Sequence, residues 1–355
     1  MKKAGRILLS ITVCLFSAGV LMYSSAVAEA VVKAVKRCVF IIIPSLFAFM
    51  TVSRIMIRTG ALDFLLRPVD KVLNRLFGIP AGFLTLFILS NIGGYPVGAS
   101  IISELIKDKR VDDRSAQAML VCCFAGGPAY IINAVGLAVY HSKTVGTVLF
   151  LSVLSANAVL SIILLICLRP IIKPTVTEGQ SVGSTLTECV CESGEGLFSM
   201  CKVIVFFSAV IAVLEGFGVF DFICRVFSLS KPGKVILLSI LEITSLSEMP
   251  AAALGYLPYA SCVLGFGGVC VILQLRTFID SKFFKLFLAA VPLRALLDFA
   301  FSKLYIWLFL GDSVPTYVQN NDLIVDFNNL LPSICLIMMI FITVLQKRLD
   351  FFREV

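Results

Sequence analysis

Charge is scarce in this chain, and histidine is scarcer still. Of 355 residues only 15% are Asp, Glu, Lys or Arg, and His141 is the single histidine. Hydrophobic residues make up 59% of the chain and the mean hydropathy is +1.00. A soluble domain of this size cannot hide so much apolar surface, so the expected solvent is lipid. A lone histidine without ligand partners nearby in sequence excludes the usual zinc spacings. There is no HExxH, no GxSxG, no pair of catalytic aspartates in a span and no Walker A signature. Metal-assisted hydrolysis, serine hydrolysis and ATP-driven work are therefore not expected. The sequence reads as a membrane protein that is not an enzyme and uses no cofactor.

Cysteine, by contrast, is plentiful, with twelve residues. Cys14, Cys38, Cys167, Cys201, Cys224, Cys262, Cys270 and Cys335 lie inside apolar runs, where cysteine behaves as a small hydrophobe. Cys122 and Cys123 are adjacent, and Cys189 and Cys191 are one residue apart. Neither pair has metal-site spacing, and a disulfide framework is not expected. The net charge of +8 fits basic cytoplasmic loops. No basic cluster interleaved with aromatics points to nucleic acid.

Apolar runs of about 20 residues are expected to cross the bilayer. Such runs occupy 7–27, 38–57, 116–140, 144–168, 198–220, 254–275, 286–310 and 328–346. The first follows Lys2, Lys3 and Arg6 and precedes Ala26-Val27-Ala28, a signal-peptide-like arrangement, but in a polytopic chain an uncleaved span is the favoured reading. Residues 61–78 alternate apolar and charged positions at helical spacing, as in a helix lying in the interface.

Two further apolar segments, 81–106 and 234–252, are interrupted by polar and turn-forming residues. Basic residues flank the first on both sides: Arg54, Arg58, Arg67, Lys71 and Arg75 before it, Lys107, Lys109, Arg110 and Arg114 after it. Both flanks are expected inside, so 81–106 is read as a re-entrant hairpin. Counting onward makes 234–252 a hairpin entering from the opposite side. Lys33, Lys36 and Arg37 conflict with this orientation and are assigned to a helix reaching the headgroups. The expected fold class is an all-α polytopic membrane protein with about eight transmembrane helices, two re-entrant helical hairpins and the inverted-repeat architecture of transporters. The organisation reads as an N-terminal span and connector (1–37), a first repeat (38–169), a polar linker (170–197), a second, inverted repeat with C-terminal spans (198–346) and a basic cytoplasmic tail (347–355).

The interruptions carry the candidate site. In "SNIGGYPVGAS", Gly93, Gly94 and Gly98 permit unusual backbone and close approach, Pro96 is expected to end a half-helix, and Asn91 and Tyr95 offer hydrogen bonds. Irregular backbone survives at membrane depth only where protein or a water-filled cavity surrounds it. Gly126, Gly127 and Pro128 are expected to unwind the next span, with Asn133 following. In the second half Glu242 stands in an apolar zone beside Thr244 and Ser245. A charge at the bilayer centre costs about 2.5–3.5 kcal/mol on insertion scales and is a functional candidate by default. Gly267 and Gly268 form a further glycine break, with Gln274 beyond it.

"GGYPVGA", then "LEIT", then "FGG" followed by a glutamine resemble the YlbJ-type sporulation integral membrane proteins, of the wider nucleoside recognition (Gate) domain group. The resemblance spans roughly residues 38–346 and rests on Asn91–Ala99, Glu242–Ser245 and Gly267–Gln274. It implies a fold similar to concentrative nucleoside transporters and a role in endospore formation. It also implies passage of dipicolinic acid, a small aromatic dianion, across the outer forespore membrane, with Tyr95 stacking on its ring. The expected function is a secondary-type carrier of a small organic anion. A carrier of nucleosides or another metabolite, and a non-transporting scaffold for spore maturation, are the competing readings. The expected partners are the small-molecule anion and the lipid bilayer of the cell membrane, without nucleic acid. Self-association is left open.

Overall fold

A computed structural model describes residues 3–59, 67–72, 74–75, 82–168, 172, 182–310 and 339. Among the described residues every regular element is helical. The helices are α1 (Lys3–Met22), α2 (Ser24–Arg37), α3 (Ile43–Thr59), α4 (Phe83–Gly93), α5 (Tyr95–Lys107), α6 (Asp113–Cys122), α7 (Lys143–Leu168), α8 (Val182–Gly216), α9 (Val219–Val226), α10 (Lys231–Leu241), α11 (Leu257–Phe266), α12 (Gly268–Leu275) and α13 (Phe284–Tyr305).

Three runs are long and apolar enough to cross a bilayer: α7, residues 186–216 of α8, and Leu254–Leu275. A fourth forms if the pair Leu9–Met22 and Ser24–Phe40, bent by 92°, is one span. Among the described residues the chain is thus all-helical, with three to four helices long and apolar enough to cross a bilayer; the expected total of eight is not shown there. The reasons are local. The run 116–140 is interrupted at 123–127. The run 286–310 carries Arg294, Asp298 and Lys303. Of 328–346 only Met339 is described, and the loop 311–327 and the tail 347–355 lie outside the described residues.

The N-terminal region departs from two separate spans. Helix α1 ends at Met22, and α2 then continues toward α3 through a π-helical turn, Cys38–Ile42. That turn sits just before Pro44, which has no N–H to give to the turn above it, and the wider winding absorbs the missing bond. Lys33, Lys36 and Arg37 therefore lie within a helix, with Lys33 paired to Glu29 at 3.0 Å. Residues 182–197, expected to belong to a linker, form the first turns of α8. Their acids explain this: Glu188 and Glu192 reach Arg54 and Arg58 of α3 at 2.6–3.0 Å. Only 67–72 and 74–75 of the expected interfacial helix are described. They are helical, with Val69 and Val72 exposed and Asp70 buried, accepting a hydrogen bond from Gly82 N.

The broken segments lie deepest. The window of Leu254–Leu275 is 72% buried, against 44% for α7 and 39% for α8. The two continuous helices thus keep faces free for lipid, while the broken ones are packed into protein, where irregular backbone is tolerated.

Candidate functional site

The first interruption is centred on Gly94. Its φ of 92° lies in the region that side chains avoid, and it separates α4 from α5. The chain turns back here: a Cβ built on Gly98 meets Ser90 Cβ at 2.9 Å, eight residues upstream. Pro96 stands in the first turn of α5. It therefore starts a half-helix rather than ending one, as suits a residue whose missing N–H would be unpaired there anyway.

The tip of this turn meets the second glycine break. Residues 124–127 are not helical, and Gly127 lies so close that a Cβ on it would come within 2.8 Å of Ile92 O and 3.2 Å of Gly94 N. A Cβ on Gly98 would collide with Cys123 O. Two interrupted stretches thus cross backbone to backbone, which only glycine permits. Their polar groups are tied internally. Asn91 donates to Phe87 O at 2.8 Å and accepts from Asn157 at 2.9 Å, and Asn157 also donates to Phe124 O at 2.9 Å.

A comparable crossing lies in the second half. Helix α10 stops at Leu241, Glu242 is extended, and 243–248 form a short 3-10 turn. Gly267 and Gly268, with φ of 81° and 82°, separate α11 from α12. A Cβ on Gly268 would sit 3.2 Å from Ile243 N and 3.3 Å from Ser239 O. Here the crossing is charged. The Glu242 carboxylate accepts from Thr244 N at 3.1 Å and from the Thr244 hydroxyl, and Arg37 reaches it at 3.4 Å. Arg37 also donates to the Thr244 hydroxyl. Ser245 is buried behind this turn, its N–H on Glu242 O.

The two crossings touch. Tyr95 donates from its hydroxyl to Leu264 O at 2.6 Å, and Tyr130 donates to Ile243 O at 2.7 Å. The Phe124 ring packs against Gly267. The Tyr95 ring lies 4.7 Å from that of Phe124, tilted by 49°. Asn91, Gly93, Gly94, Tyr95, Pro96, Gly98, Gly126, Gly127, Glu242, Thr244, Ser245, Gly267 and Gly268 are thereby brought to one centre.

Two expected residues stand apart from it. Asn133 is exposed. It lies in a π-helical stretch, Ala129–Leu137, whose wider turn rotates residues off the ordinary helical face. Gln274 is buried but donates to Cys270 Sγ at 3.2 Å, nearly two turns beyond the break.

Several polar residues, not all of them buried, carry no expectation as site residues. Asn157 sits in the long apolar α7 and ties both parts of the first crossing. Arg54, Arg58, Glu104, Glu188 and Glu192 form one network joining α3, α5 and α8. Arg294 and Asp298 of α13 are fully buried. Arg294 donates to Val121 O and lies over the Phe124 and Phe287 rings, 4.9 and 5.8 Å from their centroids. A charge count along the expected spans is the signal that finds Arg54, Arg294 and Asp298.

Among the described residues no group of three or more His, Cys, Asp or Glu is placed to hold a metal ion. Comparison with protein-family models, curated proteins and solved structures finds no match for this chain.

Proposed function

We propose that this protein is a secondary-type membrane carrier of a small organic anion, with dipicolinate during endospore formation as the specific substrate. One observation carries the reading: two interrupted backbone stretches cross in each half, and the two crossings meet in the protein interior. Half-helices α5 and α12 begin at these crossings, at Tyr95 and Gly268. Helix N-termini favour negative charge, and Arg37 adds a cation at the second crossing. Discontinuous helices meeting at a shared centre are the usual seat of substrate in inverted-repeat transporters. In this reading 81–106 and 234–252 are opposed re-entrant hairpins, the protein is a multi-pass protein of the cell membrane or outer forespore membrane, and Glu242 gates the anion's access to Arg37. The resemblance of "GGYPVGA", "LEIT" and "FGG" to the YlbJ-type proteins supports the substrate.

A scaffold role draws support from the internal bonding of Asn91 and Tyr95, which serves packing as well as recognition. Transport separates the two. Labelled dipicolinate is offered to proteoliposomes containing the purified protein, with unlabelled nucleosides as competitors. Saturable uptake that survives the nucleosides is expected. Uptake abolished by nucleosides moves the substrate to that class, and no uptake by folded, inserted protein overturns the carrier reading.

A further inference from the structure

Asp298 is the one carboxylate among the described residues with both oxygens buried and without a hydrogen-bond partner. It lies fully buried in α13. A polar group buried this way is costly unless something else occupies it. Arg294 lies one turn earlier, also fully buried, with Nε and Nη1 unpartnered. The surroundings are tight. Gly265 of α11 packs directly on the carboxylate, which leaves no room even for a Cβ, and Ser261 donates to Asp298 O at 3.2 Å. The titratable groups that face the pair are Tyr95 from α5, Cys122 at the end of α6 and Cys123 just beyond it, with Arg294 on the same helix. The Tyr95 hydroxyl already donates its hydrogen bond to Leu264 O, in the helix that holds Gly265. A hydrated or multiply coordinated metal ion does not fit such a place.

We infer that Asp298 is a proton-binding site that couples transport to a proton gradient, with Arg294 as its charge-compensating neighbour, an inference that rests on the carrier reading. In the step, the carboxylate takes one proton from water on one side of the membrane and becomes a neutral acid. It returns that proton to water on the other side, and the negative charge left behind is met by Arg294. Tyr95 links this site to the first crossing, and Phe124, under the Arg294 guanidinium, links it to Gly267 in the second. The protonation state is thereby wired to both broken segments.

Two measurements test this. Infrared difference spectra of the wild-type protein in liposomes, taken across a pH series, are expected to show the carbonyl stretch of a protonated acid that is absent in Asp298→Asn and retained in Glu242→Gln. Where Asp298→Asn fails to insert, Arg294→Gln serves instead, and the band must change the pH at which it titrates. In transport, one pH unit supports about tenfold accumulation for one proton, with the membrane potential held at zero. Asp298→Asn is expected to lose that accumulation while keeping exchange of labelled for unlabelled dipicolinate. An unchanged band in both variants, or accumulation unaltered in Asp298→Asn, overturns the proton site. Wild-type liposomes that show the band but take up no dipicolinate support the proton site and refute the substrate instead.

Discussion

The two backbone crossings are built alike and filled differently. In the first, Gly94 meets Gly127, and the groups around them are neutral: Asn91, Asn157 and the Tyr95 hydroxyl. In the second, Gly268 meets Ile243, and the groups beside it are Glu242 and Arg37. A neutral hydrogen-bond network holds its geometry in any protonation state. A buried charge pair does not, because each partner depends on the other. The comparison assigns the first crossing to the frame and the second to the changeable part.

The largest expected effect breaks the charged crossing from one side. The Glu242 side chain is 4% exposed and that of Arg37 24%. Arg37→Gln leaves a carboxylate that cannot reach water, and loss of one partner of a buried pair costs about 3–5 kcal/mol. Glu242→Gln leaves an arginine able to reach toward solvent and is expected to cost clearly less. The double variant is expected to recover most of the Arg37→Gln loss, read as thermal unfolding in detergent. Equal losses for the two single variants contradict the assigned asymmetry.

Glycine substitution comes next. Gly127→Ala places a methyl 2.8 Å from Ile92 O, a backbone atom that cannot swing away. Overpacking of this kind costs about 1–3 kcal/mol. Gly268→Ala adds backbone strain at φ 82° but has its nearest neighbour at 3.2 Å. Both are expected to lower the melting temperature, and a stabilised Gly127→Ala removes the crossing. Asn157→Ala strips the first crossing of two hydrogen bonds, at about 1–2 kcal/mol given their typical net worth. Asn91→Ala is expected to destabilise the same network and to reduce transport, with the protein still inserted.

The smallest effect lies outside both crossings and serves as the control. Asp112 caps α6, accepting from Ser115 N, and hydrogen bonding from the Ser115 side chain first, then from backbone N–H groups, holds its carboxyl below the ordinary carboxylate range. A depressed carboxyl stabilises above its unfolded value and loses that contribution as pH falls through its folded value. Asp112→Ala is expected to cost at most about 1 kcal/mol at neutral pH, with the difference from wild type vanishing in acid. Unfolding curves at two pH values check this.

What the sequence reveals of this design follows from how each residue announces itself. "SNIGGYPVGAS" is legible because glycine and proline in an apolar run have no ordinary helical reason. Glu242 is legible because one acid stands out among Leu and Ile. Arg294 and Asp298 escape notice because a long apolar window averages two charges away. Asn157 escapes for the same reason. The pairing of Arg37 with Glu242 joins residues 205 positions apart and has no local signature. The helical start of α8 is hidden by its serines, threonines and glycines, and only the arginines of α3 make its acids worth ordering.

The central claim is that the charged crossing serves function rather than the frame. Glu242→Gln tests it most directly, with dipicolinate uptake into proteoliposomes and the melting temperature measured on the same preparation. The account predicts uptake lost while the melting temperature stays closer to wild type than that of Arg37→Gln. Uptake equal to wild type, from protein equally folded and inserted, would contradict it.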